Sequence, residues 1–186
     1  VHHYDIVHWA MGVDRPKVVM AMGGMMCFPE NNLQYPDTFD SVVEYPPGPV
    51  AKQGFLMQYT FRGGCRREHR SHGKCFFGTK ASLIIDRGGY TISPENAIED
   101  RSKHVTVDGT GDNHADVFLE CVRSRKKPPA DAEVGHYATI PGHLMNIAWR
   151  VGRKIYWDAE KEVVRDDAEA NALVHKKYRA PWKLEV

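Results

Sequence analysis

Three side chains at the start of the chain have the types and spacing for proton-transfer chemistry. His2, Asp5 and Trp9 stand at i, i+3 and i+7 in the run from Val1 to Gly12, so on a helix they share one face with Ile6 beside them. An imidazole and a carboxylate one turn apart orient and tune each other for moving a hydroxyl proton. Trp9 adds a flat apolar wall for a sugar or similar ring. The same three residues also suit a helix-terminal histidine, a capping-type aspartate and a core tryptophan.

Two further groups have ligand or acid–base types. Cys65, His69, His72 and Cys75 form C-x3-H-x2-H-x2-C, the ligand types of tetrahedral zinc. Zinc fingers separate two ligand pairs by a longer loop, and Arg66, Arg67, Arg70 and Lys74 place positive charge in the same segment. A solvated basic hairpin joining two strands accounts for these residues, and no bound metal is expected. His136 and His143 lie seven apart, with Asn146 and Arg150 continuing the face of the latter. Pro141 suits the first position of a helix, which would leave His136 in the preceding turn. Substrate contact and ordinary buried, hydrogen-bonded histidines both fit this pair.

The elements that must position these groups are legible from periodicity. Val1–Met11 reads as a helix already under way, stopped at Gly12 and closed off by Pro16. Strand-like runs follow at 17–22, 38–45 and 53–61, the last two joined across Pro46-Pro47-Gly48-Pro49 as an antiparallel pair. Short strands are expected at 76–77, 82–86, 90–93 and 104–107. A helix capped by Asp112 carries the stripe His114, Val117, Phe118, Cys121 and Val122. A second helix is expected from about Pro141 to Val151, then a strand at 154–157 and a short helix near 167–174. One helix, a mostly antiparallel open sheet and later helices packed on one of its faces make an α+β plan, read as a single domain over residues 1–186.

Composition narrows the class only coarsely. The chain has 186 residues, 42% hydrophobic and 26% charged, with 25 Lys+Arg against 24 Asp+Glu. That balance fits a globular domain and supplies no global field for nucleic acid or an anionic membrane. No apolar run reaches the roughly 20 residues of a membrane helix, and four cysteines in this length read as thiols. A cytoplasmic location is the expectation. Neither G-x-G-x-x-G after a strand nor a P-loop occurs, so no nucleotide-binding half is expected here. A helix that starts without an N-cap residue suggests the C-terminal portion of a longer protein.

Taken in order, the motifs resemble the Gfo/Idh/MocA oxidoreductases, the family of glucose–fructose oxidoreductase and inositol dehydrogenase. The opening His2-x-x-Asp5-x-x-x-Trp9-x-x-Gly12 is similar to the helix that begins that family's C-terminal domain. Phe77-Gly78-Thr79-Lys80-Ala81-Ser82-Leu83 resembles its F-x-G-T-K-G-x-L strand. The run His114–Ser124 resembles its H-x-x-x-F-L-x-x-x-R-S helix, and Ala148–Lys154 its A-x-R-x-G-R-K segment. The resemblance implies a large open antiparallel sheet with helices on one face and subunit packing on the other. It implies an NAD(P)-dependent enzyme oxidising a hydroxyl carbon of a sugar or cyclitol, with NAD or NADP held by an N-terminal dinucleotide-binding domain absent from this chain. By the same resemblance His2 would move the hydroxyl proton and Asp5 would lie near the substrate. An Asp four residues before the motif His and a Lys from the cofactor domain, both usual in the family, have no counterpart here. Expected partners are a small sugar-like substrate and further copies of the chain, with no nucleic acid or membrane. Two alternatives keep the fold: an NAD-dependent redox-assisted glycosidase, and a stand-alone assembly or ligand-binding domain.

Overall fold

The computed structural model describes residues 1–64, 72–95, 102–107, 111 and 113–183. The chain divides into two compact units, residues 1–64 with 133–186 and residues 65–132. In the first unit, helix α1 (His2–Met11) precedes strands β1 (Val18–Gly24), β2 (Thr38–Tyr45) and β3 (Phe55–Arg62). Helix α3 (Ala132–Val151), strands β8 (Ile155–Asp158) and β9 (Val163–Val164) and helix α4 (Ala168–Asn171) complete it. The five strands form one antiparallel sheet in the order β3-β2-β1-β8-β9.

Strict alternation on β2 decides how this sheet is faced. Phe39, Ser41, Val43 and Tyr45 are buried, while Thr38, Asp40, Val42 and Glu44 between them are half-buried on the other side, the period-2 signature of a sheet covered on one face. Val19, Met57, Ile155 and Trp157 join the covered side, and Leu144, Met145, Ile147 and Ala148 of α3 pack against them in one core cluster. The indole Nε1 of Trp149 donates to the carbonyl of Gly23 at 3.0 Å, tying α3 to β1. Gly12 ends α1 in the left-handed conformation at φ 65°, its N–H donating to the His8 carbonyl at 2.8 Å, a geometry that costs glycine no Cβ clash.

In the second unit β4 (Lys74–Phe77), β5 (Ala81–Ile85), β6 (Gly89–Pro94) and β7 (Lys103–Thr106) form a four-stranded antiparallel meander. Helix α2 (His114–Ser124) follows. Its N-cap is Asn113, whose side chain accepts from the Ala115 N–H at 3.1 Å; the expected cap, Asp112, lies outside the described residues. The expected α+β plan with an open antiparallel sheet therefore stands, its described strands falling into two sheets. No described helix is long and apolar enough to cross a membrane.

The late helix differs from the expectation. It begins at Ala132, not Pro141, so His136 and His143 lie two turns apart on one helix. Pro141 removes one backbone donor from the helix interior, yet its side chain is fully buried, and that packing offsets the lost bond. The Thr139 hydroxyl donates to the His136 carbonyl at 2.7 Å in the same turn. Strand β9 carries no periodic signal. It is held by the side chain of Asn171, which accepts from the Val164 N–H at 2.7 Å and donates to the Val164 carbonyl.

Candidate functional site

The first unit carries a cleft of about 360 Å³. Helix α1 contributes Tyr4 and its N-cap residue Val1, the loop before β2 contributes Tyr35 and Pro36, and the strands contribute Phe39, Tyr59 and Phe61. The opposite wall is one face of α3, where Thr139, Gly142, His143 and Asn146 recur at i, i+3, i+4 and i+7. Aromatic faces, hydroxyls, an imidazole and an amide around a half-open space offer both apolar surface and hydrogen-bonding groups to a small molecule.

Each wall is held by an identifiable device. Tyr4 meets Tyr59 edge-on at 5.5 Å between ring centroids, and Tyr59 packs against Phe39 at 6.3 Å. Burial raises the Tyr4 phenol, with Tyr59 adding to the effect, and burial likewise raises Tyr59. Both therefore stay protonated as neutral donors or acceptors. Gly142 makes room for Tyr4: a Cβ there would stand 3.1 Å from Tyr4 Cε2. The loop carrying Tyr35 is pinned by Asp37, which is buried and accepts the N–H groups of Met26, Cys27 and Phe28 and the Thr38 hydroxyl. Burial pulls the Asp37 carboxyl upward, but the three backbone donors and the hydroxyl outweigh it and hold the group at about 2. The Arg150 guanidinium lies over the Tyr35 ring at 5.4 Å, a cation–π contact that fixes the rim.

The residues singled out in the sequence separate into distinct places. His143 lines the cleft, with Asn146 beside it. His136 is exposed and its Nε2 pairs with Glu162 Oε1 at 2.6 Å, which ties α3 to the turn between β8 and β9. Arg15 makes a neighbouring bridge, to Glu160 at 2.7 Å and the Tyr137 hydroxyl at 2.9 Å. On α1 the buried residue is His8, with Tyr4 and Val7 packed on the core, while His2 and Trp9 are exposed and Asp5 is half-buried. Trp9 is 86% exposed and is no core residue. His2 and Asp5 do not line the cleft, although His2 follows the lining residue Val1 directly. Of the Cys/His cluster, Cys65 and His69 lie outside the described residues, while His72 and Cys75 fall at the start of the second unit's sheet. Among the described residues no three His, Cys, Asp or Glu side chains converge as a metal site.

Tyr4, Tyr35, Tyr59 and Gly142 did not stand out as site residues in the sequence. Tyr4 had a signal available: it lies one helical turn from His8, on the face opposite Trp9. Tyr45, Phe55 and Tyr59, which as strand aromatics could mark a subunit interface, belong to the core side; Tyr45 stacks on Phe55 at 4.7 Å.

An antiparallel sheet faced by helices, with an aromatic cleft at the start of α1, defines an α+β domain. Residues 58–184 match the family model described as oxidoreductase family, C-terminal alpha/beta domain, and the chain belongs to the Gfo/Idh/MocA family. Among solved structures it is similar to the WlbA dehydrogenase from Bordetella pertussis, crystallised with NADH and UDP-GlcNAcA (TM-score 0.51, 14% identity, covering 84% of this chain and 43% of that one). It is also similar to the aldose–aldose oxidoreductase from Caulobacter crescentus, complexed with glycerol (TM-score 0.56, 15% identity, covering 83% of this chain and 45% of that one). An oxidoreductase from Agrobacterium radiobacter in complex with NAD+, L-tartaric acid and magnesium gives TM-score 0.57 at 8% identity, with coverage of 83% and 46%. At these identities the likeness establishes the fold, and the chain spans less than half the length of these three structures. No curated protein matches the sequence.

Proposed function

We propose that residues 1–186 act as the substrate-binding and oligomerisation domain of an NAD(P)-dependent oxidoreductase that works on a hydroxyl carbon of a sugar or cyclitol. The observation that carries this reading is the aromatic cleft at the start of α1, with His143 and Asn146 on its wall. Family membership and the nicotinamide complexes of the WlbA and Agrobacterium proteins support it. Every strand pairing of the described residues is antiparallel, so they form no βαβ crevice for a dinucleotide. NAD or NADP is held by a separate domain, and the nicotinamide when bound supplies the hydride acceptor.

The chain's own residues handle the substrate. His2 takes the hydroxyl proton, for which an imidazole is suited near neutral pH, and Asp5, one turn on, orients it. Tyr4 and Tyr59 present ring faces and phenols to the substrate, and His143 and Asn146 bond its hydroxyls. Trp9, on the free face of α1, meets the substrate at the junction with the cofactor domain, and His136 sets the position of α3 from the rim. The outer face of the first sheet, where Met20 and Leu56 are exposed, packs against a second copy.

Ligand-observed NMR on the 186-residue chain tests this. myo-Inositol or glucose is expected to bind at millimolar concentration, weakened at least tenfold by His143→Ala, while NAD+ neither binds nor is reduced. Absence of any sugar or cyclitol binding, or reduction of NAD+ by the chain alone, would overturn the reading.

A further inference from the structure

The side chains that line the cleft offer hydrogen bonds and aromatic faces, and among the described residues none of them is Asp, Glu, Lys or Arg. Asp37, which follows the lining residues Tyr35 and Pro36, is buried, and its oxygens are taken up by the N–H groups of Met26, Cys27 and Phe28 and by the Thr38 hydroxyl. An anion entering the cleft therefore meets no open carboxylate on its walls. A cation at the rim then decides which charge the site accepts.

Arg150 is such a cation. His143, Asn146 and Arg150 stand at i, i+3 and i+7 on α3, so they share one face, with Arg150 about 6 Å along the axis beyond Asn146. Its Cζ lies 5.4 Å from the centroid of the Tyr35 ring, and Tyr35 itself lines the cleft. Arg15, Arg62 and Arg153 of the same unit each pair with a carboxylate. No hydrogen bond or ion pair joins Arg150 to the described residues. The helix dipole favours any positive charge in the last turn, but it does not call for a guanidinium over an aromatic ring of the cleft. A cation–π contact needs none of the five N–H donors of arginine, which stay available as a fork for a carboxylate.

We propose that the cleft takes an acidic sugar, a hexuronate or similar sugar acid, with its carboxylate on the Arg150 guanidinium and its ring hydroxyls on His143 and Asn146. The inference rests on the reading of the cleft as the substrate site, and it narrows that reading to sugars that carry a carboxylate. One helical turn between Asn146 and Arg150 suits a ligand whose carboxylate is carried outside the ring that bears its hydroxyls. Lysine at this position would keep the charge and lose the paired donors.

The test compares D-glucuronate, its neutral amide D-glucuronamide and D-glucose on the 186-residue chain by ligand-observed NMR and calorimetry. Glucuronate is expected to bind more tightly than either neutral sugar by about tenfold or more, as a charge-assisted pair would give. That preference should shrink as ionic strength rises from about 0.01 M to about 1 M. Arg150→Gln, at an exposed position, should shift the melting temperature little and bring the three affinities together. His143→Ala should weaken all three. Equal binding of the three sugars by the parent would overturn this inference and leave the reading of the cleft standing, whereas binding of none would overturn both. A preference for glucuronate retained in Arg150→Gln would also overturn it, and would assign the carboxylate to another cation such as the amino group of Val1, which lines the cleft.

Discussion

Tyr45→Phe is the sharpest probe of the packing beneath the cleft. The Tyr45 hydroxyl and His8 Nε2 are 2.7 Å apart in the core, with Tyr45 1% and His8 7% exposed. Burial lowers the His8 pKa, against the opposing pull of Asp14 and Asp5, and burial raises Tyr45, so both partners are neutral in the fold. Phenylalanine keeps the ring and its stacking on Phe55 and deletes only the hydroxyl. His8 Nε2 is then buried without that partner, a cost of about 1–3 kcal/mol. In a chain of this size each kcal/mol moves the melting temperature by roughly 2–4 °C. Urea unfolding followed by tryptophan fluorescence at about pH 7.5 measures the loss. Tyr45→Phe combined with His8→Leu should cost less than the two singles summed, because no polar atom is then stranded. Tyr45→Phe as stable as the parent, or strictly additive singles, would refute the reasoning. The same pair sets a pH dependence. An unfolded histidine titrates near about 6.5 and His8 in the fold below that, so between the two values the unfolded chain binds more protons. The contribution is complete above the unfolded value and is lost as pH falls through it toward the folded one. His8→Leu should flatten that part of the stability profile.

Other expectations follow from the same contacts. Gly142→Val should push Tyr4 out of place, costing about 1–3 kcal/mol and weakening sugar binding by NMR; unchanged binding would show that Tyr4 is no part of the site. Asp37→Ala should release the loop before β2, read as faster proteolysis between residues 25 and 36. In the parent, the Asp37 contribution is present above the ordinary carboxylate range, about 3.9, and is lost as pH falls toward its folded value of about 2. Leu144→Ala removes a fully buried side chain of α3 and should cost about 2–5 kcal/mol in chemical denaturation. Trp9→Ala at an 86% exposed position should change stability by less than about 0.5 kcal/mol, while lowering turnover in the full-length enzyme; a large loss of stability would place Trp9 in a core.

What the sequence by itself determined is local. The 3.6-residue stripe of α1 with its glycine stop, the alternation on β2 and β3 and the turn prolines between them needed only neighbours along the chain, and these elements formed where periodicity put them. The ordered motifs were also enough to bring out the family, because motif order is a one-dimensional property. The start of α3 was not legible: Pro141 carries the local preference of a first helical residue, and only its burial in the core lets the helix run on from Ala132. The two-residue strand β9 depends on the side chain of Asn171, seven residues further on. Which side of α1 turns inward was likewise undecided, since His8 and Trp9 are adjacent and both can pack. Tyr45 across the sheet decides it, by offering His8 a buried hydrogen bond. The cleft belongs wholly to tertiary structure: its walls come from residues 1–4, 35–39, 59–61 and 139–146, brought together only when α1 and α3 bury their apolar faces on one sheet.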